Sequence, residues 1–239
     1  MRTRSARLLI LLTLATTALH AQDLQPYSRR NTFSIFTEYS NTSSHILLGI
    51  SQNRRLTALG LTYSRRLLHT RYADWNYNLE LRPLNFIQEP TVAFRDSAGS
   101  VIAPNPIQRT CTSGTFKIPG NPGSGFPGYT YTQTCGTRWT YAGGLSPLGQ
   151  RINIAPRHRL QPFVVSNAGF LAATRDIPVN NSSRFNFTFE FGAGLELFHD
   201  HRHSWSAEYR IHHISNAYTG TNNPGIDNQI LKLTYSFGR

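Results

Sequence analysis

Cysteine is scarce in this chain: only Cys111 and Cys135 occur among 239 residues. Two well-separated thiols exclude a cysteine-built metal centre and a disulfide-dense scaffold. Long apolar runs are missing too. No segment beyond the N-terminus reaches the ~20 residues a membrane-spanning helix needs. Helical periodicity is equally absent after the first 21 residues, which argues against a fold built from helices. Acidic residues are few, 12 against 24 basic ones, so the chain carries +12. Lysine is nearly missing: Lys117 and Lys232 are the two lysines, and arginine supplies the rest. Arginine makes bidentate contacts to phosphate.

The N-terminus reads as a targeting segment. Arg2, Arg4 and Arg7 form a positive region, Leu8 to Ala18 an apolar one, and Ala21 a small residue before Gln22. This is the pattern of a secretory signal peptide, residues 1–21. Its three arginines removed, the mature chain 22–239 carries +9. An exported chain does not normally meet nucleic acid. Phosphorylated lipid head groups are the better match to its charge, with general solubility and non-specific attraction as the plain alternative. In an oxidising compartment Cys111 and Cys135 are expected to form one disulfide. The segment between them is rich in Gly and Pro, and reads as a surface loop tied by the bridge.

Period-two alternation dominates the mature chain. Phe185, Phe187, Phe189, Phe191, Ala193, Leu195 and Leu197 share one face; Asn186, Thr188, Glu190 and Glu196 share the other. Eight strands are expected, over 31–39, 55–66, 71–82, 137–149, 158–173, 184–197, 203–215 and 227–237. The apolar stretch 45–50 falls outside them; extending the first strand is one reading. An even number of antiparallel strands with one apolar face predicts an all-β fold, an eight-stranded antiparallel outer-membrane β-barrel. It would be a single domain, 22–239. Residues 83–136 would be a long disulfide-tied outer loop. A soluble β-sandwich or lipocalin-like barrel is the other architecture with this patterning.

The chemistry concentrates near the C-terminus. Parity places His213 and Ser215 on the face of Trp205, Ala207, Tyr209 and Ile211. Extended backwards, the face of Leu231, Leu233, Tyr235 and Phe237 reaches Asp227. A base, a nucleophile and a carboxylate therefore fall together on the apolar side, where polar groups are costly. They are the residue types of a serine hydrolase. Asn216, Asn223 and the amides of the Asn222–Gly225 turn are candidate oxyanion donors. Ordinary turn and strand-end residues are the bland reading of the same pattern.

The segment Tyr209-Arg210-Ile211-His212-His213-Ile214-Ser215-Asn216-Ala217, with Asn223-Pro224-Gly225-Ile226-Asp227, resembles the signature of the lipid A 3-O-deacylases (PagL type). Gln161-Pro162-Phe163, Asn186-Phe187 and Gly192-Ala193-Gly194 extend the resemblance over roughly the last 80 residues. It implies an eight-stranded outer-membrane barrel that hydrolyses the 3-O-linked acyl ester of lipid A without cofactor or metal. It implies Ser215 as nucleophile, His213 as general base and Asp227 as the acid member. Asn216 and Asn223 would position substrate or oxyanion. Lipopolysaccharide would be the partner and the outer membrane the location. Two features depart from the pattern: the acid is Asp where the best-known members carry Glu, and the chain ends Phe237-Gly238-Arg239 rather than on an aromatic residue.

Two other functions fit the same barrel: a non-catalytic barrel with a structural or adhesive role, and a soluble lipid carrier. His199-Asp200-His201-Arg202-His203 invites a metal reading but sits in a short turn around an arginine. Gly192-Ala193-Gly194 lies on a strand with no helix after it, so it is not a nucleotide loop. His212 is expected to face the interior.

Overall fold

The computed structural model describes residues 26–239. The signal segment expected at 1–21 lies outside them. Ten strands follow in order: β1 Asn31–Ser40, β2 Arg55–His69, β3 Ala73–Asp96, β4 Val101–Pro106, β5 Gly114–Ile118, β6 Tyr129–Ile154, β7 Leu160–Ile177, β8 Ser183–Phe198, β9 His203–Ser215 and β10 Ile226–Gly238. Antiparallel pairing runs β3-β2-β1-β10-β9-β8-β7-β6, and β6 pairs back onto β3. Eight strands thus close a ring, an outer-membrane-type β-barrel, and no unpaired edge is left around it. Among the described residues, no helix is long and apolar enough to cross a membrane.

The eight ring strands coincide with the eight expected ones. Residues 83–136 do not form the loop expected there. β3 continues to Asp96 and β6 begins at Tyr129, and the two stay paired up to Asp96↔Tyr131. β4 adds to β3 and β5 to β6, giving a four-stranded flap that rises beyond the ring. Pro83 and Pro90 hid this continuation. Proline removes a ladder donor and reads as a strand end. Here the β3–β6 register shifts between Arg82 and Asn85, so Pro83 sits at an irregularity. The Thr- and Tyr-rich start of β6 carried the opposite signal. The Cys111–Cys135 disulfide is formed and ties the segment before β5 to β6.

The barrel is apolar outside and polar inside. Along β8 the phenylalanines at 185, 187, 189 and 191 are exposed, while Asn186, Thr188 and Glu190 are buried. Along β9, Trp205 and Tyr209 face out, while Ser204, Ser206, Glu208, Arg210 and His212 face in. A soluble barrel has the reverse arrangement; this one suits a hydrocarbon solvent.

The middle of the lumen is filled by charge. Arg82 pairs with Glu38 at 2.9 Å, Glu80 at 2.8 Å and Glu190 at 2.6 Å. Arg210 pairs with Glu80 at 2.9 Å, Glu190 at 2.6 Å and Glu208 at 2.9 Å. Lys232 reaches Glu80 at 2.8 Å. Glu38, Glu80 and Glu190 bring carboxylate oxygens within 4.8 Å of one another, the spacing of a cation site. Each of the three already meets a guanidinium or ammonium group, so the cluster is an ion-pair lattice.

Polar groups bridge one mouth and an apolar layer caps the other. At one end, Arg29 crosses to Glu196 at 2.6 Å and Ser204 at 2.7 Å. At the other, an apolar layer of Leu56, Ile87, Leu171, Ile214, Ile226 and Ile230 caps the lattice. Above it the buried Arg54 guanidinium donates to the carbonyls of Gln108 at 3.0 Å and Pro178 at 3.1 Å, holding three loops together. The cap supports the strand ends that carry the site.

Removing one partner of a buried charge network leaves the others unpaired. Arg210→Met is expected to destabilise the barrel by about 3–5 kcal/mol. The temperature at which the folded form is lost on a heat-modifiability gel would fall accordingly. An unchanged temperature would mean that the lattice is not what holds the strands.

Candidate active site

β9 runs toward the flap end and finishes with His213 and Ser215 on its outward face, as strand parity predicted. β10 starts beside it, with Asp227 paired in register to His213. On the other flank, β8 places Phe189 opposite His213 and Phe187 opposite Ser215. The polar pair thus interrupts a wall of exposed aromatic rings.

Asp227 Oδ1 lies 2.6 Å from His213 Nδ1. Its other oxygen, Oδ2, accepts from the amides of Ile46 at 3.2 Å, Leu47 at 2.6 Å and Gly49 at 3.0 Å. A carboxylate whose second oxygen receives three N–H donors acts as an acceptor throughout. The proton shared with the ring is therefore assigned to Nδ1, the tautomer whose neutral form presents its lone pair at Nε2.

The three amides come from the 45–50 stretch, which the sequence left unplaced. It does not extend β1. It folds back across the start of β10 and buries Asp227 completely. Ser44 N donates to Asp227 O at 3.1 Å and Ile50 N to Pro224 O at 2.7 Å, so the backbone is fixed at both ends. Leu48 projects outward, 77 % exposed. Gly49 allows the close approach. A Cβ there would lie 2.7 Å from Asp227 N and 2.9 Å from Asp227 Cγ.

Ser215 is held differently. Its hydroxyl donates to Asn223 Oδ1 at 3.0 Å, and no hydrogen bond joins it to His213 among the described residues. Asn223 Oδ1 also accepts from Asn216 N at 3.1 Å. Two donors on one side of the amide fix Asn223 with its oxygen toward Ser215 and its Nδ2 turned away. Asn216 is buried and works within the loop. Its Nδ2 donates to Asn222 O at 2.8 Å and its Oδ1 accepts from Tyr218 N at 2.9 Å. Ala217 and Tyr218 adopt the left-handed conformation, with φ of 49° and 62°, so the chain turns sharply after Ser215. Tyr218 stands at the rim, 84 % exposed.

The structure therefore brings all five candidate residues to one rim. It joins His213 to Asp227 and Ser215 to Asn223, with Asn216 clipping the loop between them. His212 faces the lumen and is buried. In the opposite turn, Asp200 accepts from the backbone amides of Arg202 at 2.6 Å and His203 at 2.8 Å. That carboxylate serves the turn itself.

Residues 120–236, just under half the chain, match the family described as Lipid A 3-O-deacylase (PagL). The crystal structure of the outer membrane enzyme PagL is similar over 86 % of this chain and 99 % of that one, with a TM-score of 0.51 and 14 % identity. Neisserial surface protein A aligns with a TM-score of 0.39 and 8 % identity, over 87 % of this chain and 97 % of its own. Ail of Yersinia pestis aligns with a TM-score of 0.38 and 11 % identity, over 88 % of this chain and 99 % of its own. No curated protein matches the sequence. The resemblance to the lipid A 3-O-deacylase family is thus shown, and it spans both halves of the site, His213 to Asn216 and Asn223 to Asp227.

Gly49→Ala would drive the 45–50 segment off Asp227. Hydrogen exchange at the Leu47 amide is expected to rise at least about tenfold, with the barrel intact. An unchanged exchange rate would show that the segment is not seated by Asp227.

Proposed function

We propose, from the family resemblance of residues 120–236, that this chain is an outer-membrane serine esterase. It would hydrolyse the 3-O-linked acyl ester of lipid A at the outer leaflet. One observation supports the reading most: the 2.6 Å His213–Asp227 contact on the apolar outer face of the barrel. A desolvated base–acid pair facing lipid is expensive, and an acyl ester dissolved in that lipid is the substrate it can reach.

The roles follow from the atoms. Asp227 holds the imidazole with Nδ1 protonated. Nε2 takes the Ser215 proton as Oγ attacks the ester carbonyl carbon. To present that proton, the Ser215 hydroxyl leaves Asn223 Oδ1 by rotating about χ1, a change between staggered wells. Once Ser215 has released Asn223 Oδ1, a turn of the Asn223 amide would bring Nδ2 to the tetrahedral oxyanion as it gathers charge. Collapse breaks the ester C–O bond, and the imidazolium returns the proton to the departing sugar hydroxyl. Water, deprotonated in turn by His213, releases the fatty acid from the acyl-enzyme. Asn216 positions the loop that bears Asn223. Nothing in the sequence of steps calls for a cofactor or metal.

The exposed phenylalanines of β8 offer the acyl chain an apolar wall beside Ser215. Arg184, second in the same strand, keeps its side chain 73 % exposed although it lies 3.8 Å from Asp176, and would be within reach of a lipid phosphate. Export by a cleaved segment at 1–21 and a single barrel domain over 22–239 complete the reading. A structural or adhesive barrel is the competing outcome of the same test.

Wild type and Ser215→Ala, each expressed in a Gram-negative host, would be compared by mass spectrometry of lipid A. Loss of one 3-hydroxyacyl mass is expected with wild type and not with the variant, whose activity should fall by at least about 10³-fold. An unchanged spectrum from folded, membrane-inserted wild type would reject the esterase. Asp227→Asn reverses the hydrogen-bonding preference at Nδ1. It is expected to cost on the order of 10⁴ in turnover, the scale of a triad held in the wrong tautomer. Turnover within threefold of wild type would remove Asp227 from the mechanism.

A further inference from the structure

The rim opposite the Ser215 cluster carries a recess of about 770 Å³ lined by Arg30, Tyr63, Arg65, Arg66, Leu67, His69 and Tyr77. Arg66 is engaged within the fold, donating to Ser28 Oγ. His69 is likewise tied through Nδ1 to Asp74 Oδ1 at 2.5 Å. Arg30 and Arg65 are exposed, and among the described residues no carboxylate meets either side chain. Two uncompensated guanidinium groups therefore face one recess on the outer wall.

What lies along the wall from them is ordered. On the outward face of β2, Arg65 is followed by Tyr63, then Leu61 and Leu59, both exposed. β1 sets Phe33 beside Tyr63 and Ile35 beside Leu61; β3 sets Leu79 and Leu81 on the other flank. The Phe33 and Tyr63 rings lie 5.2 Å apart, and the Tyr63 hydroxyl donates to Asn31 Oδ1 at 2.9 Å. Moving from rim toward mid-barrel, the surface changes from cation to amphipathic ring to aliphatic side chain. A glycerophospholipid has the complementary order: phosphate, ester interface, acyl tail. The guanidinium fork matches a phosphate bidentately, and the recess has room for a head group.

We propose that this recess binds the phosphodiester of one glycerophospholipid from the leaflet at this rim. Its phosphate sits between Arg30 and Arg65 and its tails lie over Leu61, Leu59 and Ile35. The site is remote from Ser215 and rests on the fold alone, so it stands or falls independently of the esterase reading. Its consequence is orientation: a lipid clamped at one rim fixes the height of the barrel, and hence the depth of the opposite rim.

The test is native mass spectrometry of the full barrel released from detergent, with phosphatidylglycerol titrated in. Wild type is expected to retain one phosphatidylglycerol at a lipid concentration at least about tenfold lower than Arg30→Gln/Arg65→Gln, which loses both guanidinium contacts. Diacylglycerol with the same tails lacks the phosphate and is expected to be retained weakly and equally by both. Equal retention of phosphatidylglycerol by both proteins would overturn the site. So would wild type holding diacylglycerol as well as phosphatidylglycerol, a comparison that needs no variant to fold. Inorganic phosphate raising the thermal stability of wild type as much as the lipid does would overturn the lipid as occupant.

Discussion

The ion-pair lattice of Arg82, Arg210 and Lys232 with Glu38, Glu80, Glu190 and Glu208 is the interaction on which the rest of the structure depends. A ring of eight strands exposing leucine and phenylalanine to its surroundings leaves its polar faces turned inward. Those faces meet at close quarters, and isolated charges there would be prohibitive. Interlocking them makes each guanidinium a link between strands distant in sequence: Arg82 on β3 holds Glu38 on β1 and Glu190 on β8. The lumen becomes a solid core with the polarity of a soluble protein's surface. It is not a pore.

Once the interior is filled this way, the outer wall is the surface left for chemistry. That inverts the usual relation between burial and function. In a soluble enzyme a site is a cleft in a polar surface; here polar groups emerge from an apolar one. His213 and Asp227 are tolerable there because the 45–50 backbone covers the carboxylate with three amides. The loop supplies what water would supply elsewhere, and does so without adding a charge. Asn223 and Asn216 do the same for Ser215, as part of one hydrogen-bonded turn.

The ring was legible because a membrane barrel imposes the simplest of patterns, alternation by two. Phe185 through Leu197 reads out its own orientation, and parity carried the argument to His213, Ser215 and Asp227. Counting put Asp227 beside both Ser215 and His213; its pairing in register with His213 emerges only in the folded ladder. The flap was not legible, because Pro83 and Pro90 look like strand ends and the bulge that absorbs Pro83 exists only in the pairing with β6. Nor was the carboxylate's cover. Alternation assigns side chains, whereas the groups that hold Asp227 are backbone amides, which any residue could provide. A signal existed in Asp227 itself. A carboxylate on the lipid face needs donors beyond one histidine, and 45–50, apolar and ending Leu48-Gly49-Ile50, was the stretch left over to give them.

The same cover bears on the length of the side chain at position 227. In this chain Asp227 and His213 are direct partners across the β9–β10 ladder, and one carbon of reach already brings Oδ1 to 2.6 Å from Nδ1. Oδ2 is simultaneously seated on Leu47 and Gly49. The Gly49 backbone comes so near that even its own missing Cβ would press on Asp227 Cγ, at 2.9 Å. A longer acid would have to displace either the imidazole or the loop. The short carboxylate and the glycine-bearing loop are therefore one matched device.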